Sequence, residues 1–299
     1  MEIGFFGLGR MGGNMVERLV KGGHRVVAGN RSPEPVKAAL AKGAVAAFTP
    51  KELVGWLTTK PRVVWVMVPS GDATEAMLKE FAGLLSPGDI LVDGGNSNFR
   101  DSQRRSKELA EKGLLFLDAG TSGGIWGLKL GYCMMLGGPE SAFKQIEPAI
   151  ATLAPKDGYL YCGPSGAGHF VKMVHNGIEY GMMQSYAEGF ELLKASGFPL
   201  ELSKVSHLWN QGSVVRSWLL ELAEDAFSHD PDLAKIKGYV ADSGEGRWTV
   251  MEGIEHGVPM DSLAHALFAR FRSRQDDSFA MKVLAALRNE FGGHAVKSS

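Results

Sequence analysis

Directly after a short apolar run, Glu2–Phe6, the chain reads Gly7-Leu8-Gly9-Arg10-Met11-Gly12 and then opens into an amphipathic stretch, Gly12–Lys21. Three glycines at this spacing between a strand and a helix leave few backbone solutions. The first makes the turn, the second lets the main chain approach a pyrophosphate, and the third lets helix and strand pack closely, with the helix N-terminus facing the anion. A glycine-rich turn of some unrelated α/β chain is the alternative, and the strand-then-helix context favours dinucleotide binding over it.

The same rhythm continues along the chain. Strand-like runs at Arg25–Gly29, Val63–Val68, Ile90–Asp93, Leu115–Asp118 and Cys133–Leu136 alternate with helical patterns at Pro33–Ala41, Ala73–Leu84 and Ser102–Lys112. With the first strand this predicts a six-stranded, doubly wound Rossmann-type α/β domain over residues 1–165. From about Gly166 only helical periodicity remains, at Gly168–Ser196, Leu202–Gln211, Trp218–Asp225, Asp261–Arg274 and Phe279–Phe291, so residues 166–299 are expected to form an all-α substrate and dimerisation domain. Ala295–Ser299 reads as a frayed tail.

Composition removes several functions. With 32 Lys+Arg against 33 Asp+Glu, no single-sign field exists to attract nucleic acid. Two cysteines, Cys133 and Cys162, without a C-x-x-C pair or a His cluster, argue against a disulfide framework and against a metal site. Met1-Glu2 leads straight into the first strand and no apolar run approaches the ~18 residues of a membrane span, so a cytoplasmic protein without membrane contact is expected.

The end of the second strand discriminates between dinucleotides. An Asp or Glu there would bind the ribose 2′-hydroxyl of NAD, whereas this chain has Asn30-Arg31-Ser32. The absent carboxylate and the guanidinium of Arg31, flanked by Asn30 and Ser32 as neutral donors, favour NADP, with NAD the weaker alternative.

On the long helix Gly168–Ser196, Lys172, His175, Asn176, Glu179 and Tyr180 fall at i, i+3, i+4, i+7 and i+8. They share one ~140° arc. A solvated face usually repeats Lys and Glu; one amine, one imidazole, one amide, one carboxylate and one phenol together look more like acid/base equipment.

These segments taken together resemble the decarboxylating 6-phosphogluconate dehydrogenases in their shorter form. The matching motifs are Gly7–Gly12 (GLGRMG), Asn30–Ser32 (NRS), Asp93–Ser97 (DGGNS), Ser122–Gly124 (SGG), Lys172–Tyr180 (KMVHNGIEY), Gly244–Thr249 (GEGRWT) and Arg288–His294 (RNEFGGH). The resemblance implies Lys172 as general base and Glu179 as proton donor. It implies Asn96, Ser122, Gly123, Gly124, His175 and Asn176 as holders of the sugar acid, with Tyr180, Arg270, Arg288 and His294 on its phosphate. Val68, Pro69, Ser70 and Asn96 join the cofactor contacts, and in longer relatives the C-terminal segment comes from a partner subunit, so a homodimer or homotetramer is expected. Ser243 stands where the longer form has a phosphate-binding lysine, which leaves the role of neighbouring Arg247 open.

The implied chemistry suits these groups. An unprotonated Lys172 takes the hydroxyl proton during oxidation, the 3-keto acid loses CO2, and a protonated Glu179 returns a proton to carbon 1 of the enediol. Two rivals remain on the same residues: a non-decarboxylating β-hydroxyacid dehydrogenase or semialdehyde reductase, and an NADP-sensing module without catalysis. Glu179 two turns after Lys172, the candidate dianion site of Arg270, Arg288 and His294, and the Asp93–Ser97 motif weigh against the first, and the intact Lys172–Glu179 pair weighs against the second.

Overall fold

The computed structural model describes residues 1–297; the last two positions of the expected tail, Ser298 and Ser299, lie outside the described residues. The chain divides into two compact units, Met1–His175 and Asn176 onward. In the first, β1 (Glu2–Phe6), β2 (Arg25–Gly29), β3 (Val45–Ala47), β4 (Val63–Val66), β5 (Ile90–Asp93), β6 (Leu115–Ser122), β7 (Cys133–Gly137) and β8 (Tyr159–Gly163) form one sheet. Its order is β3-β2-β1-β4-β5-β6-β7-β8, parallel throughout except between β6 and β7.

Alternation along the strands divides the core. Phe5, Trp65 and Val92 face a cluster with Met15 and Leu19 of α1 (Arg10–Lys21), Val36 of α2 (Pro33–Ala41) and Ile146 of α7 (Glu140–Leu153). Phe6, Val64, Val66 and Leu91 face the opposite cluster, with Leu53 of α3 (Pro50–Gly55), Phe81 of α4 (Asp72–Ala82) and Leu109 of α5 (Phe99–Ala110). A strand buried on both faces reads as a continuous apolar run, which is why these central strands stand out in the sequence. A 3₁₀ turn, Gly124–Trp126, and α6 (Gly127–Leu130) link β6 to β7.

The sheet has eight strands where the sequence predicts six. The additional ones are edge elements: β3 is three residues long, and β8 is only half-buried. The third run ends at Val66 rather than Val68, because the chain turns off the sheet into Val68-Pro69-Ser70-Gly71, where Pro69 has no N–H for a ladder. Conversely β6 runs four residues past Asp118, through weakly apolar Ala119–Ser122, because β7 pairs with it antiparallel from Asp118↔Gly137 to Ser122↔Cys133.

Helix α8 (Ala167–Ala195) starts in the first unit, and the division falls within it. Its start is fixed by the buried Asp118, whose carboxylate accepts from Gly166 N at 2.7 Å and His169 N at 2.8 Å. A negative charge that satisfies the first free N–H groups of a helix is stabilised there by the helix dipole. The helix then lies hard on β6: a Cβ on Gly120 would come within 2.4 Å of the Lys172 Cβ and 2.9 Å of the Gly168 carbonyl. The second unit contains α9 (Leu202–Asn210), α10 (Trp218–His229), α11 (Glu245–Glu255), α12 (Asp261–Arg272) and α13 (Phe279–Gly292), around small cores such as Phe190, Leu220 and Phe227. Helix α11 is absent from the sequence expectation. Gly246 and Gly253 weaken its propensity, yet a Cβ at Gly246 would come 2.4 Å from the Tyr180 ring and one at Gly253 2.1 Å from Met260. Close packing therefore outweighs propensity.

Replacing Asp118 by Asn removes the charge and one acceptor from the α8 N-terminus. Urea titration of D118N should show a loss of about 1–3 kcal/mol in unfolding free energy; an unchanged midpoint would show that the cap contributes nothing.

Candidate active site

In a doubly wound sheet, ligands bind beyond the carboxyl ends of the strands where the strand order reverses. Here that point lies between β1 and β4, and the two turns leaving these strands are Gly7–Gly12 and Met67–Gly71. Gly7 has φ +106°, and a Cβ on it would strike the Met67 carbonyl at 2.1 Å. Gly12 lies under the Gly7 carbonyl, which a Cβ would reach at 2.0 Å. Gly9, at the N-cap of α1, faces open space, with nothing within 4 Å of its notional Cβ. Two glycines thus serve internal packing and one leaves room for a ligand, an arrangement that fits a dinucleotide pyrophosphate against the α1 N-terminus, where Arg10 is exposed beside Met11.

Asn30 is engaged inside this loop. Its Oδ1 accepts from Leu8 N at 2.9 Å and its Nδ2 donates to the Ser32 carbonyl at 3.3 Å, so the amide straps the β2 exit to the glycine turn. Arg31 and Ser32 are exposed beyond it, as are Pro69 and Ser70, with Val68 half-buried.

Asn96 has a left-handed backbone, φ +50°. Its amide makes both possible bonds to the β6 backbone at Thr121, donating to O at 3.1 Å and accepting from N at 2.8 Å. The loop after β5 is thereby held beside Ser122, Gly123 (φ +123°) and Gly124 (φ +53°). Asp93, fully buried at the end of β5, accepts from Gly95 N, the Ser97 hydroxyl and Arg105 Nη1 at 2.9, 2.7 and 3.1 Å. Sequence reading misses Asp93, Asp118 and Arg105 as site builders; a charged residue closing an apolar strand run is the available signal for the first two.

In its first half, helix α8 buries polar residues and exposes several apolar ones. Lys172 and Tyr180, from the polar stripe, are 4% and 5% exposed, while Val171, Ile178 and Met182 are 40%, 51% and 38% exposed. His175, Asn176 and Glu179 are half-buried along the same stripe. Within the second unit the Asn176 amide donates to Glu245 of α11. The Tyr180 hydroxyl accepts from Ser243 N at 3.1 Å, and the Ser243 hydroxyl in turn lies 3.3 Å from Glu245 Oε2. The Arg270 guanidinium stacks 3.5 Å above the Tyr180 ring. Ser243, at the position of the expected lysine, thus orients Tyr180. Arg247 is engaged by Asp242. Tyr180 and Arg270 are brought together; Arg288 on α13 and His294 beyond it are exposed, and α13 buries none of its own residues.

Among the described residues no group of three or more His, Cys, Asp and Glu is placed to hold a metal ion, and no helix is long and apolar enough to cross a membrane.

A glycine turn of this geometry at the switch point of a doubly wound sheet, followed by a helical unit, defines the class of nicotinamide-dinucleotide oxidoreductases. Residues 2–163 match the family model described as the NAD binding domain of 6-phosphogluconate dehydrogenase, and residues 168–297 match that of the 6-phosphogluconate dehydrogenase C-terminal domain. The chain belongs to the 6-phosphogluconate dehydrogenase family. It is 45% identical over 298 residues to the NAD(+)-dependent, decarboxylating 6-phosphogluconate dehydrogenase of Haloferax volcanii, covering 99% of this chain and 98% of that one. It is 38% identical over 314 residues to the decarboxylating enzyme of Lactococcus lactis subsp. lactis, covering 98% of this chain and 66% of the relative. Among solved structures, 6-phosphogluconate dehydrogenase of Plasmodium falciparum, described in its apo form and in complex with NADP+ and with 6-phosphogluconate, superposes with a TM-score of 0.84 at 28% identity, covering 100% of this chain and 66% of that one.

One electrostatic prediction belongs to the second unit. Arg247 and Arg274 hold the nearly buried Asp242 carboxyl down at about 2 from its ordinary 3.8. A depressed carboxylate contributes stability that is complete above its unfolded value and is lost as pH falls through the folded one, here about 2 kcal/mol between pH ~4 and ~2. Acid unfolding of D242N should lack that share of the slope; a profile identical to wild type would show the cluster is electrostatically idle.

Proposed function

We propose that the protein oxidises and decarboxylates 6-phosphogluconate to ribulose 5-phosphate and CO2, using NADP in preference to NAD. The supporting observation is the polar stripe of α8: a nearly sealed Lys172, held on β6 by the missing Cβ of Gly120, and a buried Tyr180 bracket half-buried His175, Asn176 and Glu179, while Val171, Ile178 and Met182 are exposed. Family membership and the near full-length match to a decarboxylating relative support the oxidative decarboxylation; that relative is NAD(+)-dependent, and the preference for NADP rests on Asn30-Arg31-Ser32 and the carboxylate absent there.

In this reading the cofactor is held by Gly7–Gly12, Asn30–Ser32, Val68–Ser70 and Asn96, and when bound it accepts the hydride from carbon 3. Lys172 takes the proton of the carbon 3 hydroxyl. As an ammonium it then stabilises the oxyanion that develops at the same oxygen when CO2 leaves. Asn96, Ser122, Gly123, Gly124, His175 and Asn176 orient the sugar acid. Glu179, two helical turns from Lys172, donates the proton to carbon 1 of the enediol. Tyr180 and Arg270 bind the phosphate, joined by Arg288 and His294. The exposed apolar side of α13, with Phe279, Val283, Leu284, Leu287 and Phe291, fits a homo-oligomer in which a second copy covers that helix.

Incubation with NADP and 6-phosphogluconate should yield NADPH and CO2 together. NADPH without CO2 would favour the non-decarboxylating alternative, and cofactor binding without turnover would favour a sensor. Lys172→Met should abolish turnover with cofactor binding retained. In Glu179→Gln, solvent deuterium entry into carbon 1 of ribulose 5-phosphate should fall by about 10²–10⁴; a wild-type exchange rate would remove Glu179 from this role.

Cofactor choice is tested at the Asn30 strap. Asn30→Asp keeps an acceptor for Leu8 N and sets a carboxylate against a 2′-phosphate, so preference should move toward NAD by about 1–3 kcal/mol. An unmoved ratio of kcat/KM for the two cofactors would refute the reliance on Arg31 and the absent carboxylate.

A further inference from the structure

We propose that Arg105, which touches neither substrate nor cofactor in the proposed reaction, is a positioning residue that sets the spacing between the cofactor segment Val68–Ser70 and the Asn96 loop. The inference rests on the proposed dehydrogenase function. Arg105 is 3% exposed, so its guanidinium is closed to ligands. Its Nη1 donates to Asp93 at 3.1 Å and its Nε to Glu75 at 2.8 Å. These carboxylates border the two segments in question: Asp93 closes β5 just before the Asn96 loop, and Glu75 opens α4 just after Val68–Ser70. Asp93 accepts from Gly95 N and the Ser97 hydroxyl, on either side of Asn96, whose backbone is left-handed. Glu75 stands in the first turn of α4, immediately after the cofactor segment, beside Thr74, whose hydroxyl donates to the Pro69 carbonyl at 2.9 Å.

The segments that follow β4 and β5 lie in close contact: a Cβ on Gly95 would lie 2.6 Å from the Val68 carbonyl and 3.3 Å from Thr74 Oγ1, and one on Gly94 3.0 Å from Met67 Sδ. A shared guanidinium on one side and a glycine contact on the other fix their separation from both directions. Arginine suits this duty because its planar fork bonds two carboxylates in fixed directions, which the point charge of lysine does not. Arg104 adds a second clamp on Glu75, at 2.7 Å, but from an exposed position and without reaching Asp93. Asn96 completes the chain of contacts through Thr121 to the Ser122–Gly124 segment. Hydride transfer is sensitive to donor–acceptor placement, and a misplacement of ~1 Å can cost about 10²-fold in rate.

The test is single-turnover formation of NADPH, followed by stopped-flow absorbance at saturating NADP and 6-phosphogluconate, in wild type, Arg105→Lys and Glu75→Gln. Amplitude counts correctly folded sites and the rate constant reports placement within them. Arg105→Lys should keep its amplitude while the rate constant falls about 10- to 100-fold. Glu75→Gln, which keeps an acceptor but loses its charge, should show a smaller fall in the same direction, and it decides the matter if the lysine variant does not fold. A reduced amplitude with a wild-type rate constant would make Arg105 a folding residue only and overturn the proposal, as would wild-type values of both. A wild-type protein that forms no NADPH from 6-phosphogluconate would overturn the functional reading instead.

Discussion

The carboxylate of Asp118, buried at the point where β6 stops pairing only with β5 and begins to pair with β7, decides where the longest helix of the molecule begins. Its two oxygens satisfy Gly166 N and His169 N, donors that would otherwise be stranded in the interior. Glycines clear the ground around it: a Cβ on Gly137 would lie 2.7 Å from Asp118 Oδ1, and one on Gly168 2.7 Å from the Asp118 carbonyl. Once the first turn is fixed, helix geometry fixes the rest. One residue of register is about 100° of rotation, so a different starting point would carry Lys172 away from Gly120 and turn the whole polar stripe with it. The position of a candidate base is thus set by a cap one turn upstream and by a strand residue without a side chain.

Much of this is legible in the sequence, and what is not has a physical cause. The glycine turn is readable because each glycine answers a local need, a positive φ at Gly7 and a close approach at Gly12. Central strands are readable because burial on both faces leaves an unbroken apolar run. The edge strands β3 and β8 lack that run, and α11 hides behind glycines whose reason for being there, the Tyr180 ring and Met260, lies outside the local pattern. The stripe on α8 is visible as a period, but a period carries no direction: that Lys172 and Tyr180 turn inward while Ile178 turns outward depends on Gly120 and Gly246. The Asp93–Arg105–Glu75 contacts are silent for the same reason, since ion pairs between residues 12 and 30 positions apart leave no local pattern.

Charge in the second unit is arranged with similar economy. Asp242 binds Arg247 and Arg274 together, and both guanidinium groups also lie over the Phe271 ring, at 4.6 and 5.1 Å. Two of the three neighbouring cations are therefore matched by a carboxylate. Arg270 is held differently: it donates to the Ala241 carbonyl and rests on the Tyr180 ring, contacts that fix its plane without neutralising its charge. In the proposed function, a guanidinium held in this plane suits a phosphate oxygen.

Ser243 completes that logic. Its backbone N–H donates to the Tyr180 oxygen at 3.1 Å, and its hydroxyl lies farther off, at 3.3 Å. A phenol that accepts one good bond at its oxygen keeps its proton available for a stronger acceptor, and a phosphate oxygen bonds such a proton better than a distant serine hydroxyl does. The ring beneath Arg270 and the hydroxyl beside Ser243 then offer, from one buried tyrosine, both a platform for the cation and a neutral donor next to it. In the proposed function the charge absent at position 243 is thus answered by orientation: Tyr180 is held as a donor, and the cationic contribution of this unit falls to Arg270, with Arg288 added when the exposed α13 is covered.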